Sequence, residues 1–173
     1  MTEEQRTLCR GLIRYPLEGR LITDEDFLRR FPSAVDGGKV ALPLIEDAYA
    51  AQSAEDLGCA LIVGFRFGFA PRHEDILRRL VDLDWHYSHE DVVEALDRLR
   101  SPSAAEALFR ATQIIPKSLE YDDNRALAVK AIWALGKIPG SEAEIKLQIL
   151  ARSDNEILRK AASGQLERRH TAT

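Results

Sequence analysis

Asp123-Asn-Arg-Ala-Leu-Ala-Val-Lys-Ala-Ile-Trp-Ala-Leu135 aligns without a gap on Asp154-Asn-Glu-Ile-Leu-Arg-Lys-Ala-Ala-Ser-Gly-Gln-Leu166, at an offset of 31 residues. The Asp-Asn head, Ala131/Ala162 and the closing leucine keep their chemistry, and each segment carries a basic residue near its middle. A shift of 36 residues upstream sets Val93, Ala95, Leu96 and Leu99 against Val129, Ala131, Ile132 and Leu135. The loop Pro116 to Asp122 takes up the extra length. Within each segment the apolar residues fall three and four apart, the spacing of one helical face. A helix pair that recurs at such intervals cannot bury its apolar face alone and stacks on its neighbours. The fold expected is all-α: a right-handed α-solenoid of antiparallel helix pairs with about ten helices.

Outward from this repeat, helix starts recur in one form. An oxygen-bearing side chain caps free N–H groups, and carboxylates in the first turn favour the positive end of the dipole. Thr2-Glu-Glu-Gln5, Thr23-Asp-Glu-Asp26, Ser53-Ala-Glu-Asp56 and Ser88-His-Glu-Asp91 all show it. Connections such as Gly136-Lys-Ile-Pro-Gly140 are short, which implies antiparallel neighbours. The organisation expected is one domain over 1–173, with HEAT-like repeats over 53–168 and three shorter capping helices in 1–52, near 3–14, 24–31 and 39–52. Pro43 is expected to bend or delay the third. The stretch Leu57 to Phe69 is apolar on nearly every side and reads as a central buried helix. Gly64 and Gly68, one turn apart, would let another helix approach closely.

A chain of 173 residues with 45% hydrophobic side chains buries roughly 70% of its unfolded surface. Low aromatic content, 7%, with recurrent Leu and Ala, favours helix over a β-sandwich. The 28 acidic and 24 basic residues give a net charge of −4 and interleave along the chain. A nucleic-acid binder gathers a basic excess on one face, so none is expected here. Cys9 and Cys59 sit in apolar stretches as small hydrophobes, and nothing suggests a disulfide framework. The first residues are charged and lack the apolar run of a signal peptide, and no apolar run is long enough to span a bilayer. A cytoplasmic protein without membrane contact is expected.

Two clusters carry candidate chemistry. In Trp85-His-Tyr-Ser-His-Glu-Asp91, Ser88 reads as an N-cap, with His86 outside the helix and His89 in its first turn, so the imidazoles need not converge. The spacing is not HExxH, and a second His-Glu-Asp at His73 points to capping and dipole chemistry rather than a metal. Trp85, His86, His89 and Glu90 are candidates for partner contact. The loop Ile114 to Asn124 is longer than its counterparts and carries Tyr121, Asp122 and Asp123. Tyrosine offers contact area at low entropic cost and carboxylates accept bidentate arginine bonds, so these three join the candidates. The competing assignment has Asp123 capping the next helix and Tyr121 packed on its neighbour. Trp133 lies between apolar ridge positions and is assigned to the core. Glu167-Arg-Arg-His170 is assigned to the negative end of the last helix. Walker, Rossmann, G-x-S-x-G and CxxC patterns are all missing, so neither catalysis nor a cofactor is expected.

The segment Asn124 to Arg168 resembles short HEAT repeats of the phycobilisome-lyase type. Leu83 to Val93, Tyr121-Asp-Asp123, Ala131-Ile-Trp-Ala-Leu135 and Ser153-Asp-Asn155 are similar to a bacterial family of small HEAT-repeat proteins, over roughly Leu77 to Arg168. Members of that family often accompany polymorphic toxins. The resemblance implies an immunity protein that binds and neutralises a cognate toxin domain. The alternative it implies is a general scaffold or adaptor, with tetrapyrrole handling as in the lyase-type relatives.

Overall fold

Thr2 accepts a hydrogen bond from the Gln5 N–H at 3.2 Å, and the Thr2 N–H donates to the Gln5 side chain at 2.8 Å. This reciprocal capping box opens α1 (Glu3–Gly11) of the computed structural model. The structure describes residues 1–15, 19–32, 35–36 and 39–171, with backbone only at 14, 15, 19, 20, 35, 36, 39 and 40. Those residues form ten α-helices and divide into two compact units, 1–76 and 77–173. The expected capping segment and the first expected repeat helix thus fall together in the first unit.

In the first unit α1 is followed by α2 (Asp24–Arg30), α3 (Leu42–Ala51) and α4 (Ala54–Phe67). Thr23 and Ser53 cap α2 and α4 through the N–H groups of Asp26 and Asp56. Two antiparallel ladders of two residues per strand were not expected: β1 (Arg14–Tyr15) on β2 (Gly19–Arg20), and β3 (Val35–Asp36) on β4 (Lys39–Val40), of which Arg14 and β4 fall within the expected helices. Tyr15 precedes a proline, and the proline ring disfavours the α region at that position. Pro43 does delay its helix. It sits in the first turn of α3, where a missing N–H costs nothing, and Ala41 before it takes φ 85°.

Helix α4 packs on α1 and α3 and buries Leu57, Cys59, Ala60, Leu61 and Val63. Each such Leu or Val contributes roughly 1.5–3 kcal/mol of transfer free energy. The paired-glycine expectation needs correction. Gly64 is crowded by Phe69 from its own succeeding turn, 2.3 Å from where a Cβ would stand. Gly68, at φ 93°, ends the helix and meets no neighbour. Glycine is there because the chain reverses, not because a helix approaches.

The second unit receives the end of α5 (Glu74–Leu80), then α6 (His89–Leu99), α7 (Ala105–Ala111), α8 (Ala126–Lys137), α9 (Ser141–Leu150) and α10 (Glu156–Thr171). Helix α8 packs against α6, α7, α9 and α10, while α7 also touches α9. The repeat read from sequence has a physical counterpart in α8 and α10. Leu127, Ala131 and Ala134 are buried, and so are Leu158, Ala162 and Gln165, which follow them at the same offset of 31. The two helices differ in their caps. Asn155 accepts from the N–H groups of Ile157 and Leu158 at 3.0 and 3.2 Å. At α8 that role passes to Asp122, which accepts from Ala126 at 2.5 Å and Asn124 at 3.1 Å. Arg168, Arg169 and His170 lie in the last turn of α10, as expected, and Arg169 also reaches α8. Its guanidinium donates to the carbonyls of Gly136 at 3.2 Å, at the C-terminus of α8, and of Gly140 at 3.0 Å, in the link to α9.

Candidate functional site

The turn leaving α5 is built around two imidazoles. The Ser88 N–H donates to Nδ1 of His86 at 3.2 Å. That nitrogen therefore holds the lone pair, and the proton sits on Nε2, which donates to the Leu80 carbonyl at 2.8 Å. His89 donates from Nε2 to the Leu83 carbonyl at 2.9 Å. The two rings stack with centroids 4.3 Å apart and planes 30° apart, and Trp85 meets His86 edge-on at 5.0 Å. Both histidines are buried, at 4% and 3% exposure. Burial holds both imidazoles below their ordinary range, partly opposed by the hydrogen bonds to Leu80 and Leu83.

The two imidazoles, which the sequence does not require to converge, thus meet, with His86 outside α6 and His89 in its first turn as expected. Ser88 does occupy the residue before α6, but its side chain makes no capping hydrogen bond. Its backbone N–H is spent on His86 instead. Nδ1 of His89 is buried without a partner. Neither ring thus presents an accessible lone pair, and among the described residues no group of three or more His, Cys, Asp or Glu is placed to hold a metal ion.

Beside these rings lies a pocket of about 430 Å³, formed where the turn from Asp82 to His89 meets the segment Ile114 to Ser118. Leu83, Trp85, Ile114, Ile115 and Pro116 supply its apolar wall, and Asp84 and Lys117 its charged rim. Asp82 is tied to Arg110 of α7 at 2.9 Å, and Arg110 also donates to the Arg78 carbonyl at 3.0 Å, which braces the turn. The pocket thus brings Trp85, His86 and His89 together with the start of the long loop. It does not include Glu90, whose carboxylate lies 3.6 Å from Lys130 of α8.

Further along that loop, Tyr121 is 96% exposed and touches no packing neighbour of the kind assigned to it. Asp122 is the cap, so its carboxylate is occupied, and Asp123, which had been given that role, is exposed. Tyr87 at 64% and Ile115 at 54% are exposed large side chains that the sequence reading passed over. Their signal was position: Tyr87 stands just outside a helix start, and Ile115 follows Ile114 in a segment that ends in proline.

Trp133 also departs from its core assignment, with 52% of its surface exposed. It shares a face of α8 with Lys130 and Lys137, three before and four after it. Those lysines reach Glu90 and Glu94 of α6 at 3.6 and 3.9 Å, and Asp97 at 2.5 Å. The face is therefore wet, with one large aromatic set among ion pairs.

No family model, no curated protein and no solved structure matches the chain. Among the described residues no helix is long and apolar enough to cross a membrane.

Proposed function

We propose that the chain is a protein-binding module of HEAT-like form, an immunity protein that neutralises a cognate bacterial toxin in the cytoplasm by occupying it rather than by catalysis. The right-handed solenoid of antiparallel pairs belongs to this reading. It is supported by α6, α8 and α10 following one another in contact, with α7 and α9 doing the same, and by the short links from α6 to α7, α8 to α9 and α9 to α10. The toxin itself is suggested only by the resemblance of Leu77 to Arg168 to small HEAT-repeat proteins.

The single observation that carries binding is the concentration of exposed large side chains beside one pocket. Tyr87 and Ile115 belong to the pocket lining, and Tyr121 follows on the same loop. Aromatic side chains that stay in water in the free protein bring contact area at little entropic cost when covered, and they dominate interface energetics. Glu120 and Asp123, both exposed, would steer a basic partner surface and set its on-rate more than its affinity.

The test is co-purification with the product of the neighbouring gene, followed by titration of Tyr87→Ala and Tyr121→Ala chains. Both side chains are exposed, so both variants keep the fold. Each should weaken the complex on the order of tenfold or more. Failure to find a stable partner, or a complex indifferent to both substitutions, rejects the reading.

A further inference from the structure

We propose that the stacked pair His86 and His89 is an acid-sensitive latch on the pocket wall: neutral, it pins the turn from Leu80 to His89, and protonated, it releases that turn and dismantles the pocket. As regulation of binding this rests on the function proposed above, whereas the latch chemistry stands on the geometry of the pair.

The two rings make three of the hydrogen bonds that hold the turn: Nε2 of His86 to the Leu80 carbonyl, the Ser88 N–H to Nδ1 of His86, and Nε2 of His89 to the Leu83 carbonyl, beside the Leu83 N–H to the Leu80 carbonyl at 3.4 Å and the Asp82–Arg110 pair. The bond from Ser88 requires a lone pair on His86. A proton added at Nδ1 would set a donor against the Ser88 donor at 3.2 Å. A proton added to His89 would create a buried N–H with no acceptor, because Nδ1 has no partner. Charging both rings would place like charges about one ring spacing apart, at 4.3 Å. Each step costs the closed turn and costs nothing once the rings reach water.

The charged groups around the pair do not rescue the protonated form. Asp82 attracts a charge on His89, but its carboxylate is already paired with Arg110 of α7 at 2.9 Å. Lys117 across the pocket and the free N–H groups at the start of α6 oppose a positive charge. Of the first-turn carboxylates of α6, Glu90 faces Lys130 at 3.6 Å and Asp91 is exposed. Asp84 stands at the exposed rim.

The experiment is amide hydrogen exchange by NMR on the isolated full chain, comparing protection factors at about pH 7.5 and about pH 5. The Ser88 amide should lose protection on the order of tenfold or more in acid, while amides in the middle of α8, such as Ile132, keep theirs. In the double variant His86→Gln with His89→Gln, whose side-chain amides do not titrate, the Ser88 difference should vanish. Unchanged Ser88 protection in acid, a loss that only follows α8, or the same loss in the double glutamine variant overturns the latch. If that variant fails to fold, the wild-type comparison alone decides. No partner is present in any arm, so the result does not depend on whether the binding proposal survives.

Discussion

Gln165 of α10 fills the space that any side chain at position 136 of α8 would need: a Cβ built on Gly136 would lie 2.2 Å from its Oε1. The two helices approach closely there, and α10 buries Gln165 in doing so. Gly136→Ala gains about 1 kcal/mol of helix propensity but incurs an overlap of about 1–3 kcal/mol, so a net loss is expected. In a Gln165→Ala background the overlap disappears, and the same change becomes stabilising. Urea midpoints of the four chains check the sign reversal.

Trp133 and Ile132 are sequence neighbours that point about 100° apart on α8, one 52% exposed and the other fully buried. Ile132→Ala should cost about 2–5 kcal/mol. Trp133→Ala should cost no more than about 2 kcal/mol, since half of the larger ring is already in water. Equal losses in thermal or chemical unfolding would mean that Trp133 is a core residue after all.

Asp122 is a cap before it is a contact. Asp122→Ala should lower stability by about 1 kcal/mol, whereas Asp122→Asn keeps an oxygen acceptor and loses little. If partner affinity follows stability across these two variants, the role of Asp122 is structural. Asp123→Asn, at an exposed carboxylate, should leave unfolding unchanged and slow association with a basic partner at low salt.

Stability should fall in mild acid. His86 and His89 are both held below the ordinary imidazole value of 6.5 in the folded chain. Between that value and their folded values the unfolded chain binds more protons, so the free energy of unfolding decreases as pH drops. The contribution is fully present above about pH 6.5 and is lost going downward, with a limiting slope of about 2.7 kcal/mol per pH unit for two protons. Unfolding free energies at half-unit steps from about pH 7.5 to about pH 5 test this. A flat profile in the wild type, or the same slope in the His86→Gln chain, would contradict it.

What could be read from sequence follows from what was local. The match of α8 with α10 was legible because buried positions set the pattern: Leu127/Leu158 and Ala131/Ala162 have to be apolar wherever such helices pack. The first three helices are legible from Thr2, Thr23 and Pro43, though β1 takes the expected end of the first at Arg14 and β4 the expected start of the third at Lys39–Val40. Trp133 was misassigned through its apolar neighbours, yet Lys130 and Lys137 on the same face already marked that side as wet. The pocket was out of reach for a different reason. It forms between segments separated by about thirty residues, and no periodicity inside either segment encodes their meeting. The His86 and His89 stack was hidden by the serine between them, whose backbone rather than side chain turned out to matter.

The position of α8 among four other helices bears on how the second unit is made. During synthesis α8 can meet α6 and α7 at once, but its remaining apolar surface waits for α9 and α10, which leave the ribosome later. Until then the half-built unit presents a sticky flank to the crowded cell. A chain stopped after residue 140 would keep that flank for good and would behave as bait for chaperones and proteases rather than as a shorter working array.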